Sequence, residues 1–304
     1  MAPTAKPSTP QIRPRRSYIR AYLELARPAN VLTAAADILA GSAAVGAWTP
    51  AVVIIASASM CLYAAGVVFN DVFDRNLDTL ERPERAIPSG RASARGATLF
   101  GSLLLAVGIL LGFIASVTSG AIAVAIAVTA LLYDAFSKHK GLLGPMNMGF
   151  CRGLNLLLGM SAAAVIPVDR YFLMLIPVVY IAAITALSAG EVHGGSRVIV
   201  AVTMVAVIAV IAGVPLLAAF SSGVAALWAV PFLTLLAARV LPALLRAYES
   251  PEPTRIFRAV KAGVLSLVVL DSAIAAAYMG PIHGLVILFL MPLAGLLARV
   301  FAVT

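Results

Sequence analysis

Long apolar runs alternate with short polar breaks along almost the whole chain. The runs fall at 29–48, 51–69, 97–116, 119–136, 150–168, 171–189, 198–220, 224–245, 259–279 and 284–301. Most are close to the ~20 residues that an α-helix needs to cross the hydrocarbon of a bilayer. Only Gly280-Pro281-Ile282-His283-Gly284 divides the last two, so the pattern predicts nine or ten spans. Residues 1–20 read as a disordered tail, rich in Pro, Ser, Thr and Arg, and residues 21–304 as a single transmembrane domain. The expected fold is therefore an all-α polytopic integral membrane protein. The polar loops after every second span recur at even spacing, as they would over one central cavity in a ring of helices.

Composition makes lipid the solvent. Of 304 residues, 62% are hydrophobic and 12% charged, with a mean hydropathy of +1.01. A soluble domain has about 45–50% apolar and about 25% charged residues, so this chain could not cover its own surface in water. The lipid bilayer is the first partner the sequence implies. A net charge of +9 would suit nucleic acid in another context. Here its distribution assigns it to the membrane and excludes a nucleic-acid partner. With a cytoplasmic N-terminus, 21 of the 22 Lys and Arg residues fall on alternate loops of one side and only Arg170 on the other, as the positive-inside rule requires. The expected location is the cell membrane, multi-pass, with the N-terminus in the cytoplasm. Cys61 and Cys151 read as small apolar residues with no disulfide between them.

Acidic residues are concentrated at one place. Five of the 13 (Asp71, Asp74, Asp78, Glu81 and Glu84) lie within fourteen positions. If the second span continues as a helix, Asn70, Asp74 and Asp78 share a face at i, i+4 and i+8, with Asp71 beside Asp74. Like charges so spaced repel, and a hard divalent cation with oxygen ligands removes the repulsion. Mg²⁺ is commonly held by one or two carboxylates together with substrate phosphates. The following stretch, Glu81 to Arg91, carries Arg82, Arg85 and Arg91 among two prolines and a glycine. Such a stiff loop supplies guanidinium forks for phosphate oxygens; the same arginines would equally balance the acids or meet lipid headgroups.

Asn70-Asp71-x-x-Asp74-x-x-x-Asp78 followed by Arg82-Pro83-x-Arg85-x-Ile87-Pro88-Ser89-Gly90 resembles the first aspartate-rich motif of the UbiA superfamily of intramembrane prenyltransferases. Arg27-Pro28-Ala29-Asn30 is similar to that family's Arg-Pro-x-Asn, and Tyr133 with Lys138 and Lys140 to its Tyr-plus-basic segment. The second motif departs. The loop after span six, Ser188 to Arg197, has the single carboxylate Glu191, and together with Gly144 to Asn155 it resembles the EboC-like subgroup.

The resemblance implies Mg²⁺ as cofactor and a prenyl diphosphate as partner. The metal ligands would be Asn70, Asp71, Asp74, Asp78 and Glu191. Asn70, Arg85, Arg91, Lys140 and Arg152 would bind the diphosphate, and Asp71, Asp74, Tyr133 and Lys138 would act on the reacting bond. Asn30, Asn147 and Asn155 would face the acceptor, a small hydrophobic or aromatic molecule within the membrane. The alternative is a non-enzymatic binder or transporter of a prenylated or hydrophobic metabolite on the same fold. Polar residues inside spans are costly in hydrocarbon, so Asp37 and Asp271 read either as cavity lining or as interhelical hydrogen bonds.

Overall fold

The computed structural model describes residues 15–138 and 140–300, with side chains from 18 to 297. Fourteen α-helices are described: α1 (Arg15–Ala26), α2 (Pro28–Ala44), α3 (Ala51–Phe73), α4 (Arg75–Glu81), α5 (Ala94–Ala115), α6 (Val117–Leu132), α7 (Leu143–Met160), α8 (Leu175–Ser188), α9 (Arg197–Ser222), α10 (Val230–Glu249), α11 (Pro253–Leu265), α12 (Leu267–Met279), α13 (Pro281–Leu288) and α14 (Leu290–Val300). No strand occurs among the described residues. A π-helical turn, Tyr133–Ser137, extends α6, and 3₁₀ turns at Val168–Met174 and Gly223–Ala229 lead into α8 and α10.

Six helical runs among the described residues are long and apolar enough to cross a membrane. One of them, Arg197–Glu249, is 53 residues long and bends back at Gly223, where φ is 56°, so that α10 packs beside α9. It therefore accounts for two of the expected spans. With α2, α7 and the α13–α14 pair, helices stand at all ten expected places. Helix α1 is the difference: it begins at Arg15, inside the stretch expected to be a tail, while residues 1–14 lie outside those described.

Apolar exposure separates rim from interior. In α5 only 22% of the span is buried, and Leu99, Leu103, Leu110 and Ile114 face outward. In the α11–α12 run the figure is 72%, and α2 and α12 are buried nearly throughout. Lipid takes up the exposed face without the cost it would carry in water. Helix α2 runs very close to α7: a Cβ on Gly41 would lie 2.2 Å from the Leu156 carbonyl oxygen, and one on Gly159 2.4 Å from that of Ile38. Small residues at such crossings let backbones meet where no hydrophobic force drives helices together.

These packings bring the α1–α2 junction, the α3–α4–α5 segment, the end of α6 and the start of α7 to one end of the bundle. Arg170 marks the opposite end, where it donates to the Ala44 carbonyl and stacks over the Tyr278 ring at 4.4 Å.

Candidate active site

The acidic segment meets its partners in two pairs. The helix breaks at Asp74, but its 1→5 hydrogen bonding carries through: Asp74 N donates to Asn70 O at 2.9 Å and Asp78 N to Asp74 O at 2.8 Å. At 100° per residue, positions seven apart nearly eclipse and positions four apart lie close. Asp71 and Asp78 accordingly share one face and one cation. The Arg85 Nη1 donates to Asp78 Oδ2 at 2.8 Å and to Asp71 Oδ1 at 3.3 Å. Asn70 and Asp74 turn to a second set of partners. Asn70 Nδ2 donates to Asp134 Oδ1 at 2.9 Å, and the Lys138 ammonium pairs with the Asp74 carboxylate. Along the expected Asn70–Asp74–Asp78 face the partners therefore fall in two pairs.

Arg27 supplies a further cation. Its Nη2 donates to Asp71 Oδ1 at 2.7 Å, and its backbone is left-handed, with φ 46°, the single positive value at a non-glycine residue among those described. That conformation costs a non-glycine residue on the order of 1–3 kcal/mol. Pro28 imposes the break by opening α2 at its first position, and the strained residue is the one whose side chain reaches the acids. Sequence reading saw Arg27 only as part of a motif; no local signal couples it to Asp71.

The π-helical turn positions the remaining groups. Lys138 N donates to Tyr133 O at 3.0 Å across the widened turn, a feature frequent at functional sites. It turns Tyr133 inward, where it is buried, and sets Asp134 and Lys138 against α3. Asn147 hydrogen-bonds Ser137 Oγ at 2.9 Å, which ties α7 to this turn. Lys140 is exposed beside it.

Other expected residues stand elsewhere. Arg91 pairs with Glu24 of α1 and donates to Ser89 Oγ and to the Glu84 carbonyl, so it fastens the 82–91 loop. Arg152 is buried and turned toward α2: its Nε lies 3.2 Å from Asp37 Oδ2, its Nη2 donates to Thr33 Oγ1 at 2.6 Å, and its plane stands 5.3 Å over Tyr63. Asn155 donates to Asp37 Oδ2 at 2.8 Å and accepts from Ser59 Oγ at 2.6 Å. With Asn30, which is also buried, Thr33 and Asp37 follow at i+3 and i+7, a polar stripe descending one face of α2. Asp271 of α12 meets Asp37 there.

Glu191 lies in the loop after α8. Partial burial raises its carboxyl above the ordinary value, and the charge of Arg82 acts in the opposite direction. Arg197, six residues on, donates to the Glu249 carbonyl at 2.9 Å. Gly190 and Gly195 close this loop tightly on Ile256 of α11.

Among the described residues no three His, Cys, Asp or Glu side chains converge as ready-made metal ligands. The donor chemistry nonetheless fits Mg²⁺. Asp71 Oδ2 and Asp74 Oδ1, one turn apart, have no hydrogen-bond or ion-pair partner among the described residues. They are hard oxygen donors, and Mg²⁺ needs few of them when phosphate and water complete its shell.

The family model that describes the UbiA prenyltransferase family matches residues 30–267. The chain belongs to that family. Digeranylgeranylglyceryl phosphate synthase of Ignicoccus hospitalis is 38% identical over 146 residues, 48% of this chain and 48% of that one. The synthase of the same name from Methanothermobacter thermautotrophicus is 30% identical over 138 residues, 45% and 49% of the two chains. The chain thus matches about half the length of these curated relatives. Among solved structures, a UbiA homolog from Aeropyrum pernix K1 aligns at a TM-score of 0.60 and 15% identity over 80% of this chain and 96% of that one. A UbiA homolog from Archaeoglobus fulgidus, bound to GPP and Mg²⁺, aligns at 0.59 and 14% over 84% and 99%. These likenesses show the all-α membrane fold of the UbiA type.

Proposed function

We propose that the protein transfers a prenyl group from a prenyl diphosphate to a membrane acceptor in a Mg²⁺-dependent reaction. One observation carries this reading: two carboxylates with an open oxygen each, ringed by Arg27, Arg85 and Lys138, at one end of a lipid-embedded bundle. Four acids (Asp71, Asp74, Asp78, Asp134) face three cations, so the site is close to neutral before any ligand enters.

Asp71 and Asp74 would hold the metal, with Asn70 and Asp78 supporting them and Glu191 reaching from the opposite loop. Bound Mg²⁺ supplies positive charge to the leaving diphosphate. Lys138 and Arg85 exchange their carboxylate partners for phosphate oxygens, and exposed Lys140 adds a third contact. The bond from prenyl C1 to the diphosphate oxygen breaks with its electron pair on oxygen. The acceptor atom bonds to C1 and loses its proton to the departing diphosphate. Tyr133, buried beside Asp134, offers an aromatic face to the positive carbon, and the surrounding helices keep water away.

The relatives' name points to a glyceryl phosphate acceptor rather than an aromatic one. Asn30, Asn147 and Asn155 would line its path. The alternative of a non-enzymatic carrier loses force, since a carrier has no use for paired open carboxylates beside three cations. Diphosphate release from a panel of prenyl diphosphates, in nanodiscs with Mg²⁺ and either a prenylglyceryl phosphate or 4-hydroxybenzoate, tests both parts. Release with the first acceptor is expected. Release with the second alone would move the acceptor class, and Mg²⁺-independent binding without release would favour the carrier.

We infer that this end faces the cytoplasm, because the basic residues gather there. A reporter fused after Arg95 should report cytoplasm and one near Ser119 the far side; the reverse pattern would relocate the site.

A further inference from the structure

A second cluster of charge, away from the acids, lies where α10 turns into α11. Ala243, Arg246, Glu249, Arg255 and Arg258 line a cleft of about 310 Å³ between these two helices. Arg255 is committed to the turn itself: its Nη1 donates to the Arg246 carbonyl at 3.1 Å and lies 3.8 Å from Glu249. Glu249 is thereby offset. Arg246 and Arg258 have no acceptor and no acid for their guanidinium groups among the described residues, yet both open on the same cleft. Two unpaired like charges around one hollow repel until an anion stands between them.

The position of the cleft says which anion. Gly195 N donates to Pro251 O at 3.0 Å and Arg197 to Glu249 O, which fixes the turn to the Glu191 loop and so to the polar end of the bundle. The neighbouring side chains Leu245, Tyr248 and Phe257 are exposed, an apolar and aromatic surround typical of the boundary between headgroups and acyl chains. Guanidinium forks match phosphate oxygens in geometry as well as charge, and basic pockets at this depth bind lipid headgroups.

We propose that the cleft between α10 and α11 is a binding site for the phosphate headgroup of an anionic phospholipid, held by Arg246 and Arg258 with its acyl chains against Leu245 and Phe257. The full chain would be reconstituted in nanodiscs of phosphatidylcholine alone or with phosphatidylglycerol, and its lipids counted by native mass spectrometry after detergent release. The wild type should keep phosphatidylglycerol in preference to phosphatidylcholine and unfold several degrees higher in its presence. Arg246→Gln with Arg258→Gln should lose both effects. Arg75→Gln with Arg95→Gln removes the same charge from exposed positions at the same end and should lose neither. Equal losses in the two pairs would overturn the proposal, because total charge and not the cleft would be responsible. Unchanged retention in the cleft variant would overturn it as well. Full protection of detergent-solubilised protein by inorganic phosphate alone would also overturn it, by showing a free-anion site with no need of lipid.

Discussion

The Lys138 ammonium sits on the Asp74 carboxylate across 64 positions of sequence. The residue expected to neutralise a phosphate is thus occupied by the residue expected to hold a metal. Arg85 does the same for Asp71 and Asp78. These carboxylates are held by cations until a ligand supplies a different partner for both. Mg²⁺ alone would add positive charge to a site already balanced, and diphosphate alone would meet carboxylates. Both together let acids turn to the metal and bases to the phosphate.

Binding of the two is therefore cooperative. Prenyl diphosphate affinity measured over a Mg²⁺ series should rise at least about tenfold, a coupling of about 1.4 kcal/mol. Asp74→Asn should abolish that dependence without unfolding the protein. Lys138→Gln should weaken diphosphate binding yet let Mg²⁺ bind by itself, since Asp74 is then uncompensated. Independent binding of metal and diphosphate in the wild type would remove the exchange of partners from the mechanism.

The buried pair of Asp37 and Arg152 should behave in the opposite way. It is enclosed within the bundle, and removing one member strands the other's charge, which costs about 3–5 kcal/mol. Asp37→Leu should accordingly lower thermal stability severely. Asp37→Leu with Arg152→Met should recover most of it, because no charge is left behind. Detergent-solubilised melting curves of the three proteins give the comparison; an additive double variant would mean that the two residues act separately.

Helix α2 sets the depth of that pair by its contact with α7. Gly41→Ala would place a Cβ 2.2 Å from the Leu156 carbonyl oxygen, and backbone cannot yield as a side chain tip does. The helices must part, at about 1–3 kcal/mol. Gly46→Ala is a different case: nothing lies within 4 Å of the added Cβ, but φ is 68°, so any loss there comes from backbone strain alone. A melting temperature for Gly41→Ala equal to wild type would place the α2–α7 crossing further apart than described.

What the sequence made legible were the local patterns. Apolar runs of the right length marked the ten places where spanning helices stand, though not α1, and the crowding of Asp71, Asp74 and Asp78 marked the site, because both signals lie within a few turns of one another. Partners distant in the chain left no such trace. Nothing near Arg27 names Asp71, and nothing near Arg152 names Asp37, 115 positions before it. Arg91 and Arg85 looked alike in the loop, yet only the fold decides that one fastens to Glu24 and the other to the acids. How the face of Asn70, Asp74 and Asp78 divides between its partners was hidden for a simpler reason. Spacings of four and seven both approximate a helical face, and which one is used depends on where the cations enter.

Glu191 remains the residue on which the second half of the site turns. Its carboxyl is half-buried in the loop after α8 and is raised above its ordinary 4.5 by loss of water, with Arg82 pulling the other way. A carboxyl raised in the folded state keeps its proton where the unfolded chain has lost it. Its contribution to stability is full below pH 4.5 and declines as pH rises through the folded value. The stability of wild type relative to Glu191→Gln should therefore fall with rising pH over that window when Mg²⁺ is absent. Arg82→Gln removes the opposing charge and should deepen the fall and extend it upward. Mg²⁺ with prenyl diphosphate should reverse the order at neutral pH, since only the ionised wild-type side chain gains a ligand. Glu191→Gln should also weaken Mg²⁺-dependent prenyl diphosphate binding, whereas Arg197→Gln, whose partner is the Glu249 carbonyl, should leave binding as it was. Parallel pH profiles for wild type and Glu191→Gln, with equal binding, would confine the metal to Asp71 and Asp74.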